Sequence, residues 1–178
     1  MANTTFSGPV RSKNGFINTG PGAVKALTLA TDLTVADHAG RLITMDPAGT
    51  PTAITIPSII STADAAVAGA NDPNNASTIG TTFEILFIDN FTGTIKTANT
   101  ADKFVGAVTL GITASTAGKQ FQVATGNNEV NLNGEAGTAT TGGLKGSIIK
   151  FTAIAANLYA VEGQLLAAGV LATPFDNQ

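Results

Sequence analysis

The stretch TTFEILFI, residues 81–88, decides the fold of this chain. Side chains alternate between the two faces of a strand, so Phe83, Ile85 and Phe87 share one face, which we expect to be buried in a core. Apolar residues also occupy the opposite face, where Glu84 interrupts them. A run that is apolar on both faces is typical of an interior strand. We therefore expect this strand to be central and covered on both sides.

Two runs nearer the C-terminus predict a β-hairpin. GSIIKFTAI spans residues 146–154 and NLYAVEG spans residues 157–163, with a short Ala-Asn turn between them. In the first run one face is core and the other is mostly in solvent: Ile149, Phe151 and Ala153 share one face, and Ile148, Lys150 and Thr152 share the other. In the second run Tyr159 and Val161 share one face.

Short runs of the same kind recur along the chain, each bounded by Gly, Asn, Asp or Pro. The others are VKALTL (24–29), RLITMD (41–46), TAITI (52–56), GTIKT (93–97), FVGAVTL (104–110), KQFQVA (119–124) and NEVNLN (128–133). About ten short strands joined by turns predict an all-β fold, an antiparallel β-sandwich or barrel. A chain of 178 residues fits one such domain, which we place at residues 23–178.

Two segments do not follow the strand pattern. Residues 1–22 are rich in Gly, Pro, Asn, Ser and Thr without sustained periodicity, which predicts an extended N-terminal arm. Residues 58–78, SIISTADAAVAGANDPNNAST, predict a surface insertion. Thr62 could cap a turn or two of helix there, with Asp64 near its N-terminus, but an isolated helix this short is marginal in water.

Composition narrows the class of protein. No apolar run approaches the roughly 18 residues of a membrane span, and nine scattered Lys and Arg cannot form a phosphate-neutralising face. We therefore expect neither a membrane nor nucleic acid as a partner. The absence of cysteine excludes disulfides and thiolate metal sites. Charged residues are only 12% of the chain and its net charge is −3, which indicates a surface covered by other subunits.

The pattern of polar residues argues against catalysis. His38 is the one histidine. A single histidine cannot serve a Ser-His-Asp triad and leave another as a ligand, and it cannot form a His-rich metal site. We therefore interpret His38 as a turn residue. GITASTAGKQ (111–120) resembles a phosphate-binding loop superficially, but its glycines are too far apart and Gln120 replaces the Ser or Thr that would hold magnesium. The carboxylates are dispersed along the chain. We expect no enzyme activity, no cofactor and no metal ion.

Several stretches together resemble small structural proteins of tailed bacteriophages, particularly marine ones, that decorate or cement the capsid. They are TFSGPVRSKNGF (5–16), DHAGRLITMD (37–46), TAITIPS (52–58), FEILFI (83–88) and NLYAVEGQLLAAGVLATPF (157–175). The most specific parts are the arm around residues 8–16 and the tail at residues 163–175. The resemblance implies a β-rich virion protein on the capsid exterior, a homotrimer that clamps neighbouring copies of the major capsid protein.

The arm carries the residues expected to touch the capsid. It combines a bend, apolar anchors and two cations that can meet carboxylates, in the residues Phe6, Gly8, Pro9, Arg11, Lys13 and Phe16. Two other functions remain open. A receptor-binding or tail-fibre module would need an exposed aromatic cluster for sugars, whereas the chain has no Trp and one Tyr. A hydrolase would need carboxylates that converge in space.

Overall fold

The computed structural model describes residues 23–47, 52–61, 77–115 and 117–178. These residues form β-strands and one short helix, α1 (Val35–His38). The strands are β1 (Val24–Leu27), β2 (Thr31–Asp32), β3 (Leu42–Met45), β4 (Thr52–Ile56), β5 (Thr82–Phe87), β6 (Thr92–Thr97), β7 (Lys103–Ile112), β8 (Gly118–Gln122), β9 (Glu129–Asn133), β10 (Ile148–Ala155), β11 (Leu158–Ala167) and β12 (Phe175–Asp176). The arm at 1–22, and most of the 58–78 insertion with its Thr62 cap, lie outside the described residues.

The strands form two sheets. The seven-stranded sheet has the order β1-β3-β5-β10-β11-β7-β8, and the five-stranded sheet has the order β12-β9-β6-β4-β2. Buried apolar side chains from both sheets belong to one cluster, so the sheets pack face to face around a shared core. The architecture is an all-β sandwich.

The first six strands alternate between the two sheets. β1, β3 and β5 enter the seven-stranded sheet as parallel neighbours, while β2, β4 and β6 enter the five-stranded sheet in the same way. The chain therefore winds back and forth across the core, and each return places a strand beside the one two positions earlier. Parallel neighbours need such a crossover, because a tight turn joins only antiparallel strands.

The later strands add antiparallel pairs. β10 pairs with β5 and, through the predicted hairpin, with β11. The turn of this hairpin contains Asn157, whose φ of 57° lies in the left-handed region that Asn tolerates. β11 then runs parallel to β7 along its whole length. Within residues 111–120, which superficially resemble a phosphate-binding loop, Gly111 and Ile112 end β7 and residues 118–120 begin β8.

The structure confirms the all-β class, and each of the ten predicted runs contains a strand. The strand directions differ from the prediction, because five of the ten pairings are parallel and the sheets are therefore mixed. The two-residue strands β2 and β12 were not predicted. They are too short to show alternation, although Phe175 of β12 is buried at the edge of the core.

The core lies where the alternation predicts it. Phe83, Ile85 and Phe87 of β5 are fully buried. In the hairpin, five side chains are buried as well: Ile149, Phe151, Ala153, Tyr159 and Val161. β5 is an interior strand, between β3 and β10. On its second face Thr82, Glu84 and Leu86 are only half-buried, and none of the described strands packs over them. The prediction of cover on both sides was therefore wrong, and the outward face of β5 belongs to the surface described below.

Gly106 allows β7 to lie close beside β11. Its φ of +123° is one that L-residues rarely adopt, and it is aligned with Val161 in the parallel ladder. A Cβ at this position would overlap the carbonyl oxygen of Val161. A glycine is therefore required here, because both its conformation and its neighbour exclude a side chain.

Candidate interaction surface

The residues predicted to touch a capsid lie in the arm, outside the described residues: Phe6, Gly8, Pro9, Arg11, Lys13 and Phe16. The first described strand after the arm is β1, at one edge of the seven-stranded sheet. Its Val24 is 45% exposed and is aligned with Leu42 of β3. Val24 thus lies on the solvent-facing side of the seven-stranded sheet, which we call the outer face.

The outer face is rich in apolar side chains. Val24, Ile88, Val105 and Ile154 have exposed fractions between 40% and 46%. Half-buried apolar residues lie between them on the same side of the sheet: Leu42, Leu86, Ile148, Leu158 and Leu166. An apolar surface of this kind on a folded domain is characteristic of a site where another molecule binds.

The corresponding face of the five-stranded sheet is polar. Its strand registers align five side chains in one row across the sheet: Asp32, Thr55, Lys96, Glu129 and Asp176. The neighbouring row contains Ala53, Thr94 and Asn131. Among the described residues, none of the exposed large apolar side chains lies on this face; those outside the seven-stranded sheet are in connections, as with Val170 at 86% exposure. The two faces of the sandwich therefore differ in chemistry.

A row of charged side chains crosses the centre of the outer face. Glu84 of β5 is aligned with Lys150 of β10, which is aligned with Glu162 of β11. Lys150 Nζ donates a hydrogen bond to Glu162 Oε1 at 2.8 Å. This bond and the negative charges of Glu162 and Glu84 raise the pKa of Lys150 above its ordinary value. A shallow groove of about 360 Å³ runs along the row, with Ile148 on its wall.

Two buried polar side chains hold the segment that leads into the insertion. Tyr159 Oη donates to the Pro57 carbonyl oxygen at 2.7 Å, and the Ile59 N–H donates to Asp102 Oδ2 at 3.1 Å. Asp102 is fully buried, and its Oδ1 has no hydrogen-bond partner among the described residues. Burial raises the pKa of Asp102, and burial together with the Asp102 charge raises the pKa of Tyr159. Both groups serve to fix a loop.

The insertion is closed where it leaves the sandwich. The Thr78 N–H donates to the Ile60 carbonyl oxygen at 2.8 Å, and the Ile60 N–H donates to Thr78 Oγ1 at 2.9 Å. Ile60 and Thr78 are thus joined by two hydrogen bonds, one donated by each residue. The two ends of the insertion are held together independently of the residues between them.

His38 ends helix α1 and is buried, with 5% of its surface exposed. Its Nδ1 accepts the N–H of Thr34 at 3.0 Å, while its Nε2 has no partner in the described part of the chain. Burial lowers the pKa of His38, and the charges of Lys25 and Arg41 lower it further against the opposing charge of Asp37. The histidine is a buried, hydrogen-bonded residue of α1, whereas the sequence predicted a turn residue.

The described residues contain no group of three His, Asp or Glu side chains that could hold a metal ion. Within these same ranges, no helical segment has the length and apolarity that crossing a bilayer requires.

Strand pairing brings together charged residues that are dispersed in sequence. Alternation alone places Glu84, Lys150 and Glu162 on outward faces, but nothing in the sequence shows that β10 lies between β5 and β11. The hairpin prediction supplies the Lys150–Glu162 neighbours, since both strands belong to it. The position of Glu84 depends on a pairing between distant segments.

No family model, curated protein or solved structure matches this chain.

Proposed function

We propose that this protein is a structural protein of a tailed-bacteriophage virion, which decorates the capsid exterior and cements the head by binding the major capsid protein. The observation that carries the proposal is the contrast between an apolar outer face and a polar opposite face. A protein that acts through buried surface needs a side suited to binding and a side suited to solvent. The resemblance in the arm and the tail supplies the class of partner.

The arm supports attachment to a neighbouring protein. Residues 1–22 contain two cations, Arg11 and Lys13, and no Asp or Glu, whereas the whole chain has a net charge of −3. Phe6 and Phe16 provide apolar anchors beside them. An arm of this composition fits an acidic surface with apolar pockets on the major capsid protein.

The alternative of a sugar-binding tail-fibre module gains no support from the sandwich. Tyr159 is 1% exposed and serves as a hydrogen-bond donor to Pro57. Of the phenylalanines in the described ranges, Phe121 is the one that is not buried. A single half-buried ring does not provide the exposed aromatic cluster that a sugar site needs.

Deletion of residues 1–17 tests the proposal. The described strands begin at Val24, so the truncated chain should keep its β circular-dichroism spectrum and melting temperature. Its co-sedimentation with capsids that lack the native copy should weaken relative to the full chain. Equal binding by the truncated and full-length chains would remove the arm from the proposal.

Two sets of arm variants separate charge from apolar contact. The pair Arg11→Glu and Lys13→Glu should weaken co-sedimentation most at low salt, because charges are screened over about 8 to 10 Å at physiological ionic strength. Phe16→Ala should weaken it with little salt dependence, because this substitution removes apolar burial. Identical salt profiles for the two variants would contradict the assigned roles.

A further inference from the structure

The residues of β5 and β10 on the outer face match one another in chemistry. The register aligns three pairs across the two strands: Leu86 with Ile148, Glu84 with Lys150, and Thr82 with Thr152. All six side chains are half-exposed. The outer face therefore has, side by side, an apolar pair, a pair of oppositely charged residues and a hydroxyl pair; the salt bridge of Lys150 is with Glu162 and not with Glu84.

Such a surface is complementary to itself under one symmetry operation. A two-fold axis that lies in the contact plane, parallel to the strands and between β5 and β10, exchanges the two strands. Glu84 of one copy then faces Lys150 of the other, and Leu86 faces Ile148. Glu162, which is bonded to Lys150 of its own copy, faces Leu42, so each Lys150 lies between its own Glu162 and the Glu84 of the partner. An axis along the row would instead oppose Glu84 to Glu84 and Lys150 to Lys150, which is unfavourable. The strand-parallel axis also gives the alignment within about 30° at which sheets pack face to face.

We propose that the outer face binds a second copy of this chain through this two-fold contact. Self-complementarity of one surface is what an isologous dimer requires. The size of the face agrees with this partner, because seven strands spaced about 4.8 Å apart give an area of about 30 by 20 Å, on the order of 600 Å² in projection. Because side chains make the surface uneven, its accessible area is larger than this projected area and comes close to the roughly 800 Å² per partner of a specific interface.

The contact gives a dimer, in contrast to the trimer that the resemblance implies. It buries the exposed apolar residues that flank the central pairs, with Ile88 and Val24 on one side and Val105 on the other. It leaves the polar face of the five-stranded sheet in solvent. This contact occupies the same outer face that supports the proposed function, so in the dimer attachment to the capsid falls to the arm, residues 1–22. Self-association does not depend on capsid binding and is measured with the purified full-length chain alone.

A charge exchange tests the contact. Glu84→Lys places two lysines in each copy at the axis, and Lys150→Glu places two glutamates there, so each variant alone should dissociate about tenfold more readily than the unmodified chain. An equimolar mixture of the two variants restores both opposite-charge pairs and should regain the dimer. The double variant Glu84→Lys/Lys150→Glu should also dimerise. Size-exclusion chromatography with light scattering measures the mass across a micromolar concentration series.

The five-stranded sheet provides the matched control. Lys96 and Glu129 are aligned neighbours on its polar face, so Lys96→Glu and Glu129→Lys should leave the dimer unchanged. Melting temperatures close to that of the unmodified chain show that each variant is folded. The proposal is overturned if the unmodified chain stays monomeric at hundred-micromolar concentration, if it forms a trimer that both single variants leave intact, or if mixing the variants does not restore the dimer.

Discussion

Replacement of Phe87 by alanine tests whether β5 is the centre of the core. Phe87 is fully buried on the inner face of β5, aligned with Met45 of β3. Its ring lies 4.8 Å from that of Phe91, centroid to centroid, at an interplanar angle of 32°. The substitution removes the ring from a site enclosed by both sheets, where the surroundings cannot collapse fully into the space.

The expected loss is about 3 to 5 kcal/mol of unfolding free energy, which includes the lost contact with Phe91. This is a large fraction of the roughly 5 to 15 kcal/mol that stabilises a typical domain. For a chain of this length, each 1 kcal/mol corresponds to about 2 to 4 °C, so the melting temperature should fall by about 6 to 20 °C.

Phe121→Ala is the matched control, because it makes the same chemical change at a half-buried position on the edge strand β8. Its ring is stacked under Lys119 Nζ at 4.8 Å and is partly in solvent, so the loss should be about 1 to 2 kcal/mol. Urea unfolding followed by far-UV circular dichroism gives both values. Equal losses for the two variants would refute the assignment of β5 to the core centre.

Three further predictions use features away from β5. Gly106→Ala should lower the unfolding free energy by about 2 to 4 kcal/mol in urea unfolding, because its Cβ would overlap the Val161 carbonyl oxygen at a left-handed φ; a loss below that of Phe121→Ala would contradict this. Tyr159→Phe should cost about 1 to 3 kcal/mol, since the Pro57 carbonyl loses its donor while the packing is kept; an unchanged melting temperature would show that water replaces the hydroxyl. The unfolding free energy should fall as the pH drops below 6.5, the ordinary pKa of histidine, because burial lowers the pKa of His38 in the folded chain and the unfolded chain therefore binds the proton first. His38→Gln should make the unfolding free energy less dependent on pH below 6.5. An unchanged pH dependence in this variant would assign the loss of stability to other groups.

Much of the sandwich could be predicted from sequence because alternation is a local property. Phe83, Ile85 and Phe87 lie on one face whatever strand lies beside them, and the same holds for the hairpin core. The turn at Asn157 is equally local, so the β10–β11 pairing was correctly predicted. Strand direction is different, since the alternation of residues 42–45 is the same in a parallel or an antiparallel neighbour.

The candidate surface, too, could be predicted only in part, because the face on which a side chain lies is a local property and the pairing of strands is not. Leu86 and Ile148 could be assigned to an outward face, but only the β5–β10 pairing shows that they are aligned with each other and lie beside the Glu84–Lys150 pair. The apolar residues on both faces of β5 suggested complete cover, whereas the outward residues are half-exposed. A residue that binds a partner and one that lies under a second layer of the same chain have the same apolar character, so composition alone does not distinguish them.

The winding of the first six strands between the two sheets has a consequence for how the protein is made. A chain that emerges from the ribosome presents β1 and β3 before β5 has been synthesised, and β5 in turn lacks one neighbour until β10 arrives. No nearby hairpin is available to hold these early strands in the meantime. We therefore expect folding to be slow and to complete only once β10 and β11 have been synthesised, when their hairpin inserts between β5 and β7 and joins the two halves of the seven-stranded sheet.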